Sequence, residues 1–305
     1  MKATSTPKTK LNEHGKLTLG QFLKRFPDDA ACLEEIKNMR YPDDSICPHC
    51  QKESKFYRIT DRTAYSCQFC RGHVYPLAGT IFEKTTTPLR LWFYAMFMMI
   101  QTRAGVSAKT LQRELGVTYK TAWRMFKQIR MLMAQEPSLL TGTIEIDETY
   151  VGGKGSNRRY VWHGNEKPKE IVMGFVQRDG IAYAKHIEGT GKWALLEQIR
   201  ENVDPKARII TDEYGGYIQL KKYGWRHDVV NHQNTYVIGD IHTQNTENLW
   251  SHIKRGITGV YRVVSKKYLQ AYIDEYTFRY NHSEELGFMF NRLLLQVSVV
   301  RKVAV

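Results

Sequence analysis

Carboxylates and thiols in this sequence fall at spacings suited to metal chemistry. Residues 143–146, Thr-Ile-Glu-Ile, alternate like a β-strand and end on Asp147; residues 207–211, Ala-Arg-Ile-Ile-Thr, do the same and end on Asp212. A strand delivers its last side chain to the sheet edge, so two such strands can hold two carboxylates side by side. Hard divalent cations such as Mg²⁺ take oxygen ligands of this kind. Two such ions about 3.5–4 Å apart serve in-line displacement at a phosphodiester, one lowering the pKa of the attacking oxygen and the other steadying the leaving one. A lone Asp at a strand end is more often an ordinary turn residue. Two of them, followed by a helix that carries Glu247 and then Lys254 and Arg255, point to a site.

The thiols form a second set. Cys47-Pro-His-Cys50 and Cys67-Gln-Phe-Cys70 are separated by the sixteen residues 51–66, the spacing of two knuckles that clamp one tetrahedral Zn²⁺. Four thiolates fill that coordination sphere, so His49 is not expected to ligate and the metal's task is structural: it shapes a domain too small to bury a core of its own. Tyr57-Arg-Ile59 and Ala64-Tyr-Ser66 read as the strands between the knuckles. Cys32 has no such partner and reads as a small buried residue.

The elements that must position these groups can be read along the chain. Residues 1–17 are polar, rich in Lys and Thr, and read as a disordered tail. Residues 18–82 hold two short helices (Leu19, Phe22, Leu23, Phe26; then Cys32, Leu33, Ile36 on one side) and the zinc ribbon. Residues 83–135 begin with an apolar helix, 89–101, led by Pro88. Leu111, Leu115, Val117, Ala122, Trp123 and Phe126 are then spaced for two helices packed across a tight turn at Gly116, with Ser107 and Thr118 as N-caps. That is a helix-turn-helix pattern whose second helix offers Tyr119, Lys120, Arg124 and Lys127 to a DNA groove or backbone. A plain helical hairpin with a solvated basic face is the alternative.

Residues 140–285 read as α/β. The order is a strand to Asp147, a hairpin over 170–187 with a turn at Asp179-Gly180, an amphipathic helix from Lys192 to Asn202, and a strand to Asp212. A fifth strand spans 226–230, and helices follow from His242 and from Lys266 to about Asn281, giving a mixed sheet with helices. Between them Val151-Gly-Gly-Lys154 opens a basic loop that runs to Arg159. It lacks the spacing of a phosphate-binding P-loop and reads as a hairpin that touches DNA, with Lys154 as a contact. Residues 286–305 form an apolar, partly basic tail, expected to pack on the domain or on a second subunit.

A net charge of +14 favours a polyanionic partner, nucleic acid before a membrane surface. Residues 1–7, Met-Lys-Ala-Thr-Ser-Thr-Pro, lack the apolar core of a signal peptide, and the apolar run 91–100 is too short to span a bilayer. Paired cysteines of this kind suit a reducing compartment, so a soluble intracellular protein is expected.

Taken together, the two Cys-x-x-Cys pairs, the helix pair, Ile146-Asp-Glu-Thr-Tyr-Val-Gly-Gly-Lys154, Thr211-Asp-Glu-Tyr214, Asn245-Thr-Glu-Asn-Leu-Trp-Ser-His-Ile-Lys-Arg255 and Phe278-Arg-Tyr-Asn281 resemble the transposases of IS1595-type (ISXO2-like) bacterial insertion sequences, over about residues 18–285. The resemblance implies an RNase H-like catalytic domain, DNA cutting and joining with Mg²⁺ or Mn²⁺, and Asp147 and Asp212 as the first two catalytic acids. It also implies double-stranded DNA, both element ends and target, as partner, a homo-oligomer on that DNA, and a bacterial cytoplasmic location. The third ligand is left among Glu247, Asn248 and Asn245. Helical geometry favours Glu247: Leu249, Trp250, Ile253 and Ile257 form the buried stripe, and Glu247 and Lys254 lie at its edge. A carboxylate also binds Mg²⁺ more strongly than an amide oxygen. Lys254 and Arg255 suit a phosphate-binding role. Two rivals remain: a ribbon and helix-turn-helix regulator with an inert C-terminal domain, and a nuclease that cuts without joining.

Overall fold

The computed structural model describes residues 17–102, 104–135, 139–152, 169–230, 239–283 and 288–299. They fall into two compact units: one comprises residues up to Met133 together with those after Glu284, the other Ala134–Ser283.

In the first unit, α1 (Leu19–Arg25) and α2 (Asp29–Arg40) start at the caps Thr18 and Asp28, whose side chains accept from the backbone N–H groups of Gln21 and Ala31. Such caps stabilise a helix by about 1 kcal/mol each. Leu17, read from sequence as the end of the tail, is instead buried, and its carbonyl accepts from the Gln101 amide at 2.6 Å. The ribbon follows as β1 (Ser45–Ile46) paired with β2 (Glu53–Ser54), and β3 (Phe56–Arg58), β4 (Tyr65–Cys67) and β5 (His73–Val74) in a second antiparallel sheet. The apolar α3 (Leu89–Gln101) is buried along most of its length. Helices α4 (Ala108–Leu115) and α5 (Tyr119–Met131) start at the expected caps Ser107 and Thr118. Gly116 ends α4 at φ 64°, a left-handed conformation that costs glycine little and lets the chain reverse within three residues. The buried stripe of α5 is Ala122, Met125, Phe126 and Ile129, spaced i, i+3, i+4, i+7. Trp123, grouped with that stripe from sequence, is only half-buried.

The second unit is a five-stranded mixed sheet with helices. Its elements are β6 (Thr143–Val151), β7 (Glu170–Gln177), β8 (Ala182–Ile187), α6 (Lys192–Asn202), β9 (Arg208–Asp212), β10 (Arg226–Val230), α7 (Gln244–Gly256) and α8 (Lys266–Asn281). The strand order is β10-β9-β6-β7-β8; β6, β7 and β8 run antiparallel, while the crossover through α6 returns β9 parallel to β6. The alternation of β6 sorts its side chains between two cores. Ile144 and Ile146 pack with Met173, Phe175, Leu195 and Ile199 on one face. On the other, Val172 and Val176 meet Leu249, Trp250, Ile253 and Ile273 of α7 and α8.

The segment read as a C-terminal tail holds α9 (Met289–Val299), which belongs to the first unit. Its Phe290 ring lies 5.8 Å from Phe22, 5.7 Å from Phe26 and 6.2 Å from Phe93, so the end of the chain completes that core. No helix among the described residues is long and apolar enough to cross a membrane.

Candidate metal centres

The four ribbon sulfurs, of Cys47, Cys50, Cys67 and Cys70, all lie within 4.8 Å of one another. Each of the knuckle turns aims backbone N–H groups at them: His49 donates to Cys47, Phe69 to Cys67 and Gly72 to Cys70, all at 3.4 Å. The Ser54 hydroxyl stands 3.1 Å from the Cys67 sulfur. Four sulfurs this close cannot all ionise without a cation among them, and the set fits one tetrahedral Zn²⁺. His49 is occupied elsewhere, its Nε2 donating to the His73 carbonyl at 3.0 Å.

The acids are brought together by strand register. Glu145 of β6 pairs with Ile210 of β9, so two residues further on Asp147 stands beside Asp212. Neighbouring strands are about 4.8 Å apart, and paired positions on parallel strands face the same side. Trp250 of α7 donates its Nε1–H to Asp147 Oδ2 at 2.8 Å. Burial pushes the Asp147 carboxyl above its ordinary range against that bond, and the charges of Asp212 and Glu247 push it further. The three acids therefore share one electrostatic field. Asp212 accepts the Tyr214 backbone N–H at 3.0 Å, which holds its carboxylate at the strand end.

Glu148 points to the opposite face, where its carboxylate accepts the Tyr217 hydroxyl. Burial lifts it to about 8, opposed by that bond and reinforced by Asp147 and Asp212. Carboxyls raised by burial and mutual repulsion lack a counter-charge. A divalent cation would supply that charge and takes oxygen ligands of this kind; among the described residues, however, only the cysteine tetrad brings three or more metal-ligating side chains within 4.8 Å of one another.

Sequence reasoning missed the residue that docks the third acid's helix. Glu145 is fully buried and accepts from Arg178 Nε at 2.8 Å, the Asn245 backbone N–H at 2.9 Å and the Asn245 amide at 2.8 Å. Arg178 also holds the carbonyls of Asp240 and His242 that lead into α7. A carboxylate at a helix N-terminus satisfies unpaired N–H groups and complements the helix dipole. The signal was present: Glu145 lies two residues before Asp147, hence on the same face of the strand.

Of the three competitors on α7, Asn245 is held by Glu145. The Tyr280 hydroxyl donates to the Asn245 carbonyl at 3.5 Å, and the Asn248 side chain is exposed. Glu247 is exposed and is the one whose charge reaches Asp147. The expected stripe of Leu249, Trp250, Ile253 and Ile257 is buried. Lys254 and Arg255 are exposed further along α7. In the first unit Lys120 is exposed, whereas Arg124 and Lys127 are half-buried, and the Arg124 guanidinium sits 5.6 Å over the Trp92 ring. Lys154 lies outside the described residues.

Two family models match. Residues 27–73 match the transposase zinc-ribbon domain, and residues 139–281 match the ISXO2-like transposase domain. The ribbon and the acid-bearing sheet thus define a transposase-type protein, of the class of nucleic-acid-processing enzymes. An uncharacterized protein in transposable element ISH50 of Halobacterium salinarum is 28% identical over 281 residues, covering 84% of this chain and 92% of that protein. The chain belongs to the IS1595-type, ISXO2-like transposase family. Among solved structures, a chain of the simian T-cell lymphotropic virus intasome in complex with the PP2A regulatory subunit B56 gamma is similar at 14% identity and a TM-score of 0.29. That alignment covers 55% of this chain and 63% of the other.

Proposed function

We propose that the protein binds the ends of an insertion sequence and cuts and joins DNA strands at Asp147, Asp212 and Glu247. The observation that carries this reading is that the charges of Asp212 and Glu247 both act on the Asp147 carboxyl, in a sheet where the pairing of Glu145 with Ile210 brings the two acid-bearing strands together. These three side chains would hold Mg²⁺ or Mn²⁺ on an RNase H-like sheet. Bound there, such a cation activates an attacking oxygen and stabilises charge on a leaving one.

The chain's own residues do the rest. Glu145 and Arg178 hold α7 against β6, so that Glu247 stays near the aspartates. Lys254 and Arg255, exposed on the same helix, bind phosphate oxygens of the strand lying over the acids. In the first unit, α4 and α5 act as a helix-turn-helix that presents Lys120, Arg124 and Lys127 to duplex DNA. Lys154 adds a contact from the basic loop. The zinc of the ribbon keeps residues 18–82 folded, 83–135 bind element ends, and 140–285 carry the chemistry. Cutting both ends of an element and joining them to target DNA calls for more than one copy, and a homo-oligomer on DNA is the assembly.

The test is a strand-transfer assay with labelled element ends and Mg²⁺. The wild type should cut and join. Asp147→Asn and Asp212→Asn should each lose at least about a thousandfold in both steps, since a catalytic metal contributes several kcal/mol to the barrier, and should keep end binding. Wild-type rates in both variants would remove these acids from the site, and cutting without joining in the wild type would make the protein a nuclease.

A further inference from the structure

Trp250 makes two contacts at once. Its Nε1–H donates to Asp147 Oδ2 at 2.8 Å. Its ring lies over Gly174: a Cβ built there would stand 2.5 Å from Cη2 and 2.6 Å from Cζ2. Gly174 is also the cross-strand partner of Asp147 on β7. A bare backbone at that register position is what lets an indole cross β7 and reach the carboxylate. A glycine inside an apolar strand often marks such a close approach.

Trp250 stands three residues after Glu247 on α7, on the same side of the helix. One hydrogen bond therefore ties the helix bearing Glu247 to the carboxylate of Asp147. Indole is a donor only and does not titrate, so the tie persists across the working pH range. A ligating carboxylate with one oxygen so occupied loses the freedom to turn, and outer partners of this kind commonly set metal affinity.

We propose that Trp250, with Gly174 as its clearance, is the positioning residue of the acid cluster: it orients Asp147 and fixes where Glu247 stands relative to the aspartate pair. The inference rests on the reading of Asp147, Asp212 and Glu247 as cation ligands. It adds that the buried stripe of α7 acts on metal affinity as well as on packing.

The experiment titrates Mn²⁺ into the zinc-loaded full chain without DNA and follows the melting temperature, which rises as a cation binds the folded state. Relative to wild type, Trp250→Phe should move the midpoint of that titration up by about 10- to 100-fold, the usual effect of losing an outer hydrogen bond. Gly174→Ala should do the same with the indole still present. Adding Gly174→Ala to Trp250→Phe should move it little further, because both remove one bond. A residue that only packs would lower the melting temperature without Mn²⁺ and leave the midpoint in place. Asp147→Asn is the control and should abolish the Mn²⁺ response. If it does, and Trp250→Phe has the wild-type midpoint, the positioning role is overturned and the acid reading stands. If Asp147→Asn keeps the response, both are overturned. Should Trp250→Phe not fold, the midpoint of Gly174→Ala decides in the same way.

Discussion

The cysteine tetrad and the acid cluster are both sets of ligand-type side chains, and they are assembled in opposite ways. The thiols come from two stretches of four residues, 47–50 and 67–70, whose own turns supply N–H···S bonds. The acids come from positions 147, 212 and 247, on two strands and a helix. The tetrad is a closed site with four ligands for one ion. Among the acids, Asp147 is raised by burial and by the charges of Asp212 and Glu247. A closed site of matched ligands serves folding. On the proposed reading, the repulsion among the acids would be relieved by a bound cation.

The largest expected effect separates the two sites. Cys47→Ser with Cys67→Ser should abolish zinc binding and unfold residues 41–75, since the binding energy of a structural zinc, of order 10 kcal/mol at neutral pH, is folding energy. Elemental analysis and limited proteolysis read this directly, and unchanged zinc content would refute it. The sheet of Ala134–Ser283 should stay protected.

Within the second unit, not all acids should behave alike. Glu145→Ala should cost about 3–5 kcal/mol in denaturant unfolding, because it strands the Arg178 charge and undocks α7. Asp147→Asn, which relieves repulsion, should leave the metal-free protein at least as stable as wild type. Equal losses for both would mean that Asp147 is held for structure as Glu145 is.

The third ligand sharpens the contrast further. Glu247→Gln should lower strand transfer by at least about a hundredfold, on the several-kcal/mol scale of a metal contribution, with Asn248→Ala nearer wild type. The reverse order would hand the role to Asn248. The smallest effect belongs to DNA docking: Lys120→Ala should weaken end binding and reduce its salt slope by about one. Arg124→Ala should also loosen the packing on Trp92, so it should lower the melting temperature, which Lys120→Ala should not.

These contrasts also explain what could be read in advance. Ribbon spacing, the caps Ser107 and Thr118, and the strand that ends at Asp212 are local, and local spacing is what a sequence displays. The first strand, expected to end at Asp147, instead runs on to Val151, because residues 148–151 continue its pairing with β7. Trp250 could be placed on the buried stripe of α7 by its period, but its bond to Asp147 depends on which β7 residue stands opposite. That residue is Gly174, and no spacing within either segment reveals the pairing. Glu145 was visible as a strand residue; that it docks a helix one hundred positions later is a property of topology. The apolar segment after 286 showed that something must cover it, yet only the fold shows that Phe290 joins Phe22, Phe26 and Phe93.

The central claim is that Asp147 and Asp212 bind the catalytic cation directly, and exchanging ligand softness tests it most closely. Asp147→Cys and Asp212→Cys place a thiolate where a carboxylate stood. A thiolate is a poor partner for hard Mg²⁺ and a better one for Mn²⁺. Strand cleavage by each variant should be lost in Mg²⁺ and recovered in Mn²⁺, while the wild type cleaves in both. Variants that cleave in Mg²⁺ as the wild type does, or that stay inactive in Mn²⁺ while still binding DNA ends, would contradict it.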